Sequence, residues 1–156
     1  MTTRTISFSL NGQAVAVQAP VAINLLTLLR EYMGITSPKF GCAQGNCGAC
    51  TVLLDGEPVN SCMVLAPTVE GRKVTTVEGV GTLEKPHPLQ TAITEHYGAQ
   101  CGFCTPGMIM SGVALLKKNS HPSRDEVVAA ITGNVCRCTG YKKIVESVLA
   151  AAESMK

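Results

Sequence analysis

The chain has 156 residues, with 13 Lys and Arg against 11 Asp and Glu, eight cysteines and no tryptophan. That length allows one domain or two small ones and excludes a large catalytic core, while a net charge of +2 with only three Tyr and three Phe argues against a nucleic-acid surface. Charged residues make up 15% of the chain against about 25% in ordinary domains, and the apolar share of 46% is ordinary, so the chain is expected to fold and to hide part of its surface against a partner.

Ile6, Phe8 and Leu10 alternate with polar residues ahead of Asn11-Gly12, a turn pair that predicts a hairpin with Phe8 opposite Val15 and Ile6 opposite Val17. Asn24 then caps a predicted helix with Leu25, Leu26, Leu28, Leu29 and Met33 on one stripe and Gly34 as its stop. After a Gly-rich cysteine loop, residues 51–54 and 59–63 flank Asp55-Gly56 as a second hairpin, and residues 74–77 give a last strand. This order fits a mixed sheet gripping one helix. The small residues of Gly79-Val80-Gly81-Thr82 read as a linker, dividing the chain into domains 1–79 and 80–156.

The second half reads as four helices. Pro88 opens one that ends at Gly98; Thr105-Pro106 opens a second with Ile109, Val113 and Leu116 on one face. Ser123 and Glu126 form a capping box for a third that ends at Gly133, and residues 141–153 form a fourth with Ile144, Val148, Leu149 and Ala152 inward. In an up-and-down arrangement the loop with Cys101 and Cys104 and the loop with Cys136 and Cys138 lie at the same end. Cys104 and Cys138 each precede a helix N-terminus, whose partial positive charge favours an anionic centre. No apolar run approaches the roughly 18 residues of a membrane span, and residues 1–13 lack the apolar core of a signal peptide, so the cytoplasm is the expected address.

In a reducing cytosol, clustered cysteines more often hold metal than form disulfides. They fall in two groups of four, Cys42, Cys47, Cys50 and Cys62, then Cys101, Cys104, Cys136 and Cys138, which implies two metal sites. The run Cys42-x4-Cys47-x2-Cys50 has the spacing of plant-type [2Fe–2S] loops, with Cys62 as the fourth ligand. Glycines 41, 45 and 48 let the backbone bend and aim N–H groups at sulfur. Such a cluster, held by four thiolates, has a formal charge of about −2 oxidised and about −3 reduced. The sequence keeps acids away: none lies between Glu31 and Asp55, between Glu95 and Asp125, or between Glu126 and Glu146. Tetrahedral zinc is the alternative from spacing alone, above all for the second group.

Three segments, GCAQGNCGAC, QCGFCTPGM and GNVCRCTGY, closely resemble in order and spacing the small iron–sulfur subunit of the molybdenum hydroxylases. That family includes xanthine dehydrogenases, aldehyde oxidoreductases and carbon monoxide dehydrogenases. The resemblance covers nearly the whole chain. It implies an α+β fold, with an N-terminal plant-ferredoxin-like β-grasp domain and a C-terminal four-helix [2Fe–2S]-binding domain. It also implies two [2Fe–2S] clusters on the eight cysteines. They would relay single electrons between molybdopterin, in its cytosine dinucleotide form, in a large subunit and FAD in a medium subunit. By the same resemblance the Cys101, Cys104, Cys136 and Cys138 cluster lies next to the pterin, with Gln100 reaching it and Cys138 nearest its amino group. The other cluster lies towards the flavin. The residues Phe103, Thr105-Pro106-Gly107 and Thr139-Gly140 follow the flavin-linked branch of the family rather than the isoquinoline-type branch, whose members deliver electrons to cytochromes. The partners implied are therefore two larger subunits in a heterotrimer, or a dimer of heterotrimers, with no nucleic acid and no membrane span.

The remaining candidates read as structural. His87, His96 and His121 have no ligand-like neighbours and suit surface or capping roles; Met63, Met108 and Met110 suit packing, and Lys117-Lys118 suits a helix C-terminus. No hydrolytic constellation or phosphate loop is present, so substrate chemistry is expected elsewhere. A free-standing two-cluster ferredoxin-like carrier and a zinc-stabilised interaction module are the competing functions.

Overall fold

The computed structural model describes residues 2–155. Strands β1 (Thr3–Leu10) and β2 (Gln13–Pro20) form the predicted hairpin, with Phe8 paired to Val15 and Ile6 to Val17. Asn11 and Gly12 both take positive φ, the geometry that matches a two-residue turn to the strands' twist. The Asn24 side chain accepts the Thr27 N–H at 2.8 Å and starts helix α1 (Leu25–Thr27), which runs on into a wider π turn (Leu28–Tyr32). Of the predicted stripe, Leu25, Leu28 and Leu29 are fully buried against Ile6, Phe8 and Leu10 with Met33 partly buried beside them, whereas Leu26 turns to Cys50 and Cys62. Burial of each such side chain contributes about 1.5–3 kcal/mol.

Strands β3 (Thr51–Leu54), β4 (Glu57–Asn60) and β5 (Lys73–Thr75) complete a mixed sheet of order β2-β1-β5-β3-β4. Only the β1–β5 pairing in it is parallel. Two strand ends differ from expectation. Strand β4 ends at Asn60: Ser61 still donates its N–H (3.3 Å) and its hydroxyl (2.7 Å) to the Cys50 carbonyl opposite, and the chain then closes a 3₁₀ turn, Ser61–Met63, that carries Cys62, with the Val64 N–H on the Ser61 carbonyl (3.4 Å). Strand β5 stops at Thr75 because the next residue, Thr76, is fully buried and bonded to the Asn11 amide, its N–H donating at 2.8 Å.

Four helices follow: α2 (Pro88–Glu95), α3 (Thr105–Lys118), α4 (Arg124–Ile131) and α5 (Lys142–Ser154). Ser123 and Glu126 form the predicted capping box. His87 forms another at α2: its Nδ1 accepts the Leu89 N–H (3.1 Å) while Gln90 Oε1 accepts the His87 N–H (2.7 Å). Burial first, and Lys117 second, hold the His87 imidazole below its usual range, which keeps the capping nitrogen unprotonated.

The two halves share one strand. All four residues of β3 are buried: Val52 and Leu54 enter the core with α1, whereas Leu53, between them, enters the helical core with Leu89, Met108, Val113, Ile144 and Val148. Strand alternation sends successive side chains to opposite faces, so one short segment supplies both cores. Val77 and Val80, on either side of the predicted linker's start, also pack against the helical core.

Candidate metal centres

The loop between α1 and β3 wraps around Cys42. Three backbone N–H groups point at its sulfur, from Gln44 (3.4 Å), Asn46 (3.3 Å) and Cys47 (3.4 Å). These donors bring the Cys42 thiol down to about 6, so the loop favours thiolate before any metal is considered. The predicted bend uses Ala43, Gly45 and Gly48, all at positive φ. Gly41 is glycine for a different reason: a Cβ there would lie 2.6 Å from Cys47 Sγ. Asn60 Nδ2 donates to the Gly45 carbonyl at 2.7 Å and ties this loop to β4. Cys50 and Cys62 are buried together behind Leu26 of α1, while Cys42 and Cys47 reach the loop mouth. Burial pushes the Cys50 thiol up to about 11.

The second set gathers as the loop argument predicts. Cys101, Cys104, Cys136 and Cys138 line one cavity of about 170 Å³ at the end of the helical bundle, together with Phe103 and Arg137. Cys101 and Cys138 are exposed, with their sulfurs 3.4 Å apart; Cys104 and Cys136 are buried. Burial pushes Cys104 up to about 12. At Cys136 burial raises the thiol, but the Thr139 hydroxyl and nearby N–H groups outweigh it and the net direction is down. Cys104 directly precedes α3 as expected, at its N-cap position and without a side-chain cap bond. Cys138 does not sit at the start of α5: a Thr139-Gly140-Tyr141 turn intervenes, with Tyr141 in the left-handed region at φ +66°. Gln100 is exposed beside Cys101.

The two sets are neighbours, because the same cavity is walled by Gly41, Cys47 and Ala49 from the first loop. The Cys47 carbonyl accepts the Val135 N–H at 2.8 Å, so a residue of the first set is bonded to the residue preceding Cys136. Sequence reasoning missed the residue that makes this junction. Asn134, only 3% exposed, donates through Nδ2 to the Gly48 carbonyl (3.0 Å) and to Thr51 Oγ1 (3.2 Å), and its Oδ1 accepts the Ser111 hydroxyl (2.7 Å). The backbones meet so closely that a Cβ on Gly107 would overlap the Gly48 carbonyl, and one on Gly48 would overlap Gly133 and Asn134. A polar residue between Gly133 and an apolar Val135, next to a helix end, was the available signal.

Each set fits an iron–sulfur group by its chemistry: four sulfur donors, a surround of N–H and hydroxyl donors, and apolar cover. Among the described residues no three His, Cys, Asp or Glu side chains converge tightly enough for one metal ion.

Known proteins bear on both sets. Residues 8–80 match the 2Fe-2S iron-sulfur cluster binding domain, and residues 76–149 match the [2Fe-2S] binding domain, so each four-cysteine set falls within one matched segment. The chain is 47% identical over 149 residues to the nicotinate dehydrogenase small FeS subunit of Eubacterium barkeri, across 96% of this chain and 95% of that one. To the nicotine 6-hydroxylase small subunit of Paenarthrobacter nicotinovorans it is 45% identical over 148 residues, across 94% and 88% of the two. The crystal structure of quinoline 2-oxidoreductase from Pseudomonas putida 86 superposes with a TM-score of 0.94 at 43% identity, across 97% of this chain and 95% of the matched one.

Proposed function

The chain belongs to the small iron–sulfur subunits of the molybdenum hydroxylases, and from that premise we propose that it relays single electrons between a molybdopterin centre in a large subunit and FAD in a medium subunit. Cys42, Cys47, Cys50 and Cys62 would hold one [2Fe–2S] cluster and Cys101, Cys104, Cys136 and Cys138 the other. Each bound cluster supplies one-electron storage without proton transfer. The chain's own residues hold the sulfurs as thiolates, donate hydrogen bonds to them and shield them from water.

The observation that carries this reading is the joining of two four-thiol sets through Cys47 and Val135, with the second set opening outward at Cys101 and Cys138. Electrons can enter at one exposed mouth and cross to the other set within one rigid body. Gln100, exposed beside that mouth, is assigned to the pterin. The flavin-side partner is assigned to the Cys42 mouth, where Phe40 and Met63 are exposed apolar neighbours. A dimer of such heterotrimers in the cytoplasm completes the proposed assembly. Among the described residues no helix is long and apolar enough to cross a membrane.

The test is native purification with metal and cofactor analysis, followed by single replacements. The native protein should copurify with molybdenum- and FAD-containing chains, and show two paramagnetic signals on reduction. Cys50→Ser and Cys104→Ser should each halve the iron and remove a different signal. Recovery as a monomer that never enters a complex would favour the free-standing carrier, and a colourless zinc protein would overturn both.

A further inference from the structure

We propose that the Thr139 hydroxyl sets how readily the second cluster accepts an electron, acting as a hydrogen-bond donor to the Cys136 sulfur. This rests on the reading that Cys101, Cys104, Cys136 and Cys138 hold a [2Fe–2S] group.

Three contacts close a ring around Cys136. Thr139 Oγ1 lies 3.1 Å from Cys136 Sγ. The Tyr141 N–H donates to the same Oγ1 at 3.2 Å, and the Cys136 N–H donates to the Tyr141 hydroxyl at 2.9 Å. The first question is which atom of the Thr139–Cys136 pair donates. A metal-bound cysteine is a thiolate with no proton to give, so Thr139 must. The Tyr141 N–H already takes up a lone pair on Oγ1, which leaves the hydroxyl proton free to point at sulfur. That proton stays on Oγ1 in both oxidation states.

The surroundings make the contact count. Cys136 is buried, and a hydrogen bond in a low-dielectric site is stronger than the same bond in water. Tyr141 holds φ +66°, a conformation that bulky residues avoid, in order to return its hydroxyl to the Cys136 N–H and its own N–H to Thr139. The same ring therefore fixes the ligand's backbone and the donor's direction. Because the reduced state carries one more negative charge, a donor to sulfur favours it over the oxidised state. Thr139 contacts only the second set; in the first, Cys42 Sγ takes three hydrogen bonds from the backbone N–H groups of Gln44, Asn46 and Cys47, which a replacement at Thr139 leaves in place. The first set serves as an internal control.

A local turn would explain the Tyr141 N–H to Thr139 Oγ1 contact without any effect on sulfur. The potential separates that alternative from the proposal. The experiment is a redox titration of the purified holo-complex followed by EPR, comparing wild type with Thr139→Val, which keeps the shape and loses the hydroxyl, and Thr139→Ser, which keeps it. Thr139→Val should shift the second cluster's reduction equilibrium about tenfold towards the oxidised form, about 59 mV lower for a one-electron couple. The first cluster should not move, and Thr139→Ser should restore the wild-type value. An unchanged midpoint in Thr139→Val with both clusters present overturns the proposal and leaves the reading of the site intact. A wild-type protein with only one signal overturns the reading, and the proposal with it. Should Thr139→Val fail to assemble, Thr139→Ala is titrated instead. Failure of both while Thr139→Ser assembles makes the hydroxyl a folding contact and also overturns the proposal.

Discussion

Replacing Asn134 by alanine tests whether the two halves are locked by one buried side chain. The change removes three neutral hydrogen bonds, to Ser111, Gly48 and Thr51. At about 1 kcal/mol each, the gross loss is about 3 kcal/mol. No carbonyl is orphaned, because Gly48 O still accepts the Thr51 N–H (3.0 Å) and hydroxyl (2.7 Å), which caps the penalty. The adjoining cavity, lined by Thr51, Ser111 and Asn134, is polar enough to admit water to the vacated space, so the net cost is about 2–3 kcal/mol. Iron–sulfur proteins rarely unfold reversibly, so the measurable quantity is the rate at which the visible cluster absorbance disappears in urea. The Gly48–Asn134 contact joins residues 86 apart in sequence and should be absent from the unfolding transition state, so nearly all of the cost appears in the unfolding rate. With 1.4 kcal/mol per decade, loss should accelerate by roughly 30- to 150-fold. Asn134→Asp keeps an acceptor for Ser111 but faces a carboxylate towards the Gly48 carbonyl. It should cost at least as much, with part recovered as pH falls into the carboxylate range. A rate within twofold of wild type for Asn134→Ala would refute the junction argument.

Gly107 lies in α3, where alanine ordinarily stabilises by about 1 kcal/mol, but its Cβ would overlap the Gly48 carbonyl; Gly107→Ala should therefore lower the melting temperature, and a rise would count against the close backbone approach. His87→Ala should cost about 0.5–2 kcal/mol through loss of the α2 cap. Because burial lowers the folded-state value of His87, the cap's stability is fully present above the ordinary imidazole value of 6.5 and is lost as pH falls through the lowered one. His87→Asp should hold the cap and flatten that part of the stability profile below the ordinary imidazole value of about 6.5, and an unchanged profile would show that His87 does not cap as a neutral ring. Gln100→Ala should leave the visible spectrum and melting temperature unaltered while weakening capture by the molybdopterin subunit in a binding assay; unchanged binding and internal transfer would remove Gln100 from the pterin contact.

Local signals carried most of the fold. Asn11-Gly12 set the β1–β2 register, Asn24 set the start of α1, and Ser123 with Glu126 set the start of α4, because each acts through contacts within a few residues. The cysteine sets were legible for the same kind of reason: a cluster loop must crowd its ligands, and spacing preserves that crowding in sequence. The structure changed what depends on distant partners. Residues 59–63 look like strand by composition, yet after Asn60 the chain closes a 3₁₀ turn, with the Ser61 hydroxyl held by the Cys50 carbonyl. Cys138 reads as a helix-start residue until Tyr141 takes the left-handed turn that lets its hydroxyl reach Cys136. Asn134 carries no periodic or spacing signal, since its partners at Gly48 and Thr51 are contributed by the other half of the chain.

Dividing the chain at residues 79 and 80 remains our proposal for how the ligand sets are apportioned, but independence does not follow from it. A glycine-containing connector such as residues 79–82 would leave the separation of two clusters to chance. Electron transfer between them falls steeply with distance, so a relay needs that separation fixed. The fixing comes from outside the connector. Leu53 of β3 is built into the helical core; Gly48 and Gly107 are in backbone contact; Asn134 bonds across the seam; and Val135 meets the Cys47 carbonyl. Two clusters with formal charges of about −2 each would also turn the chain's +2 into about −2, and rigid packing must hold these like charges near one another. The absence of acids from the stretches around both thiol sets serves that end, since every carboxylate placed there would add to the repulsion that the seam has to resist.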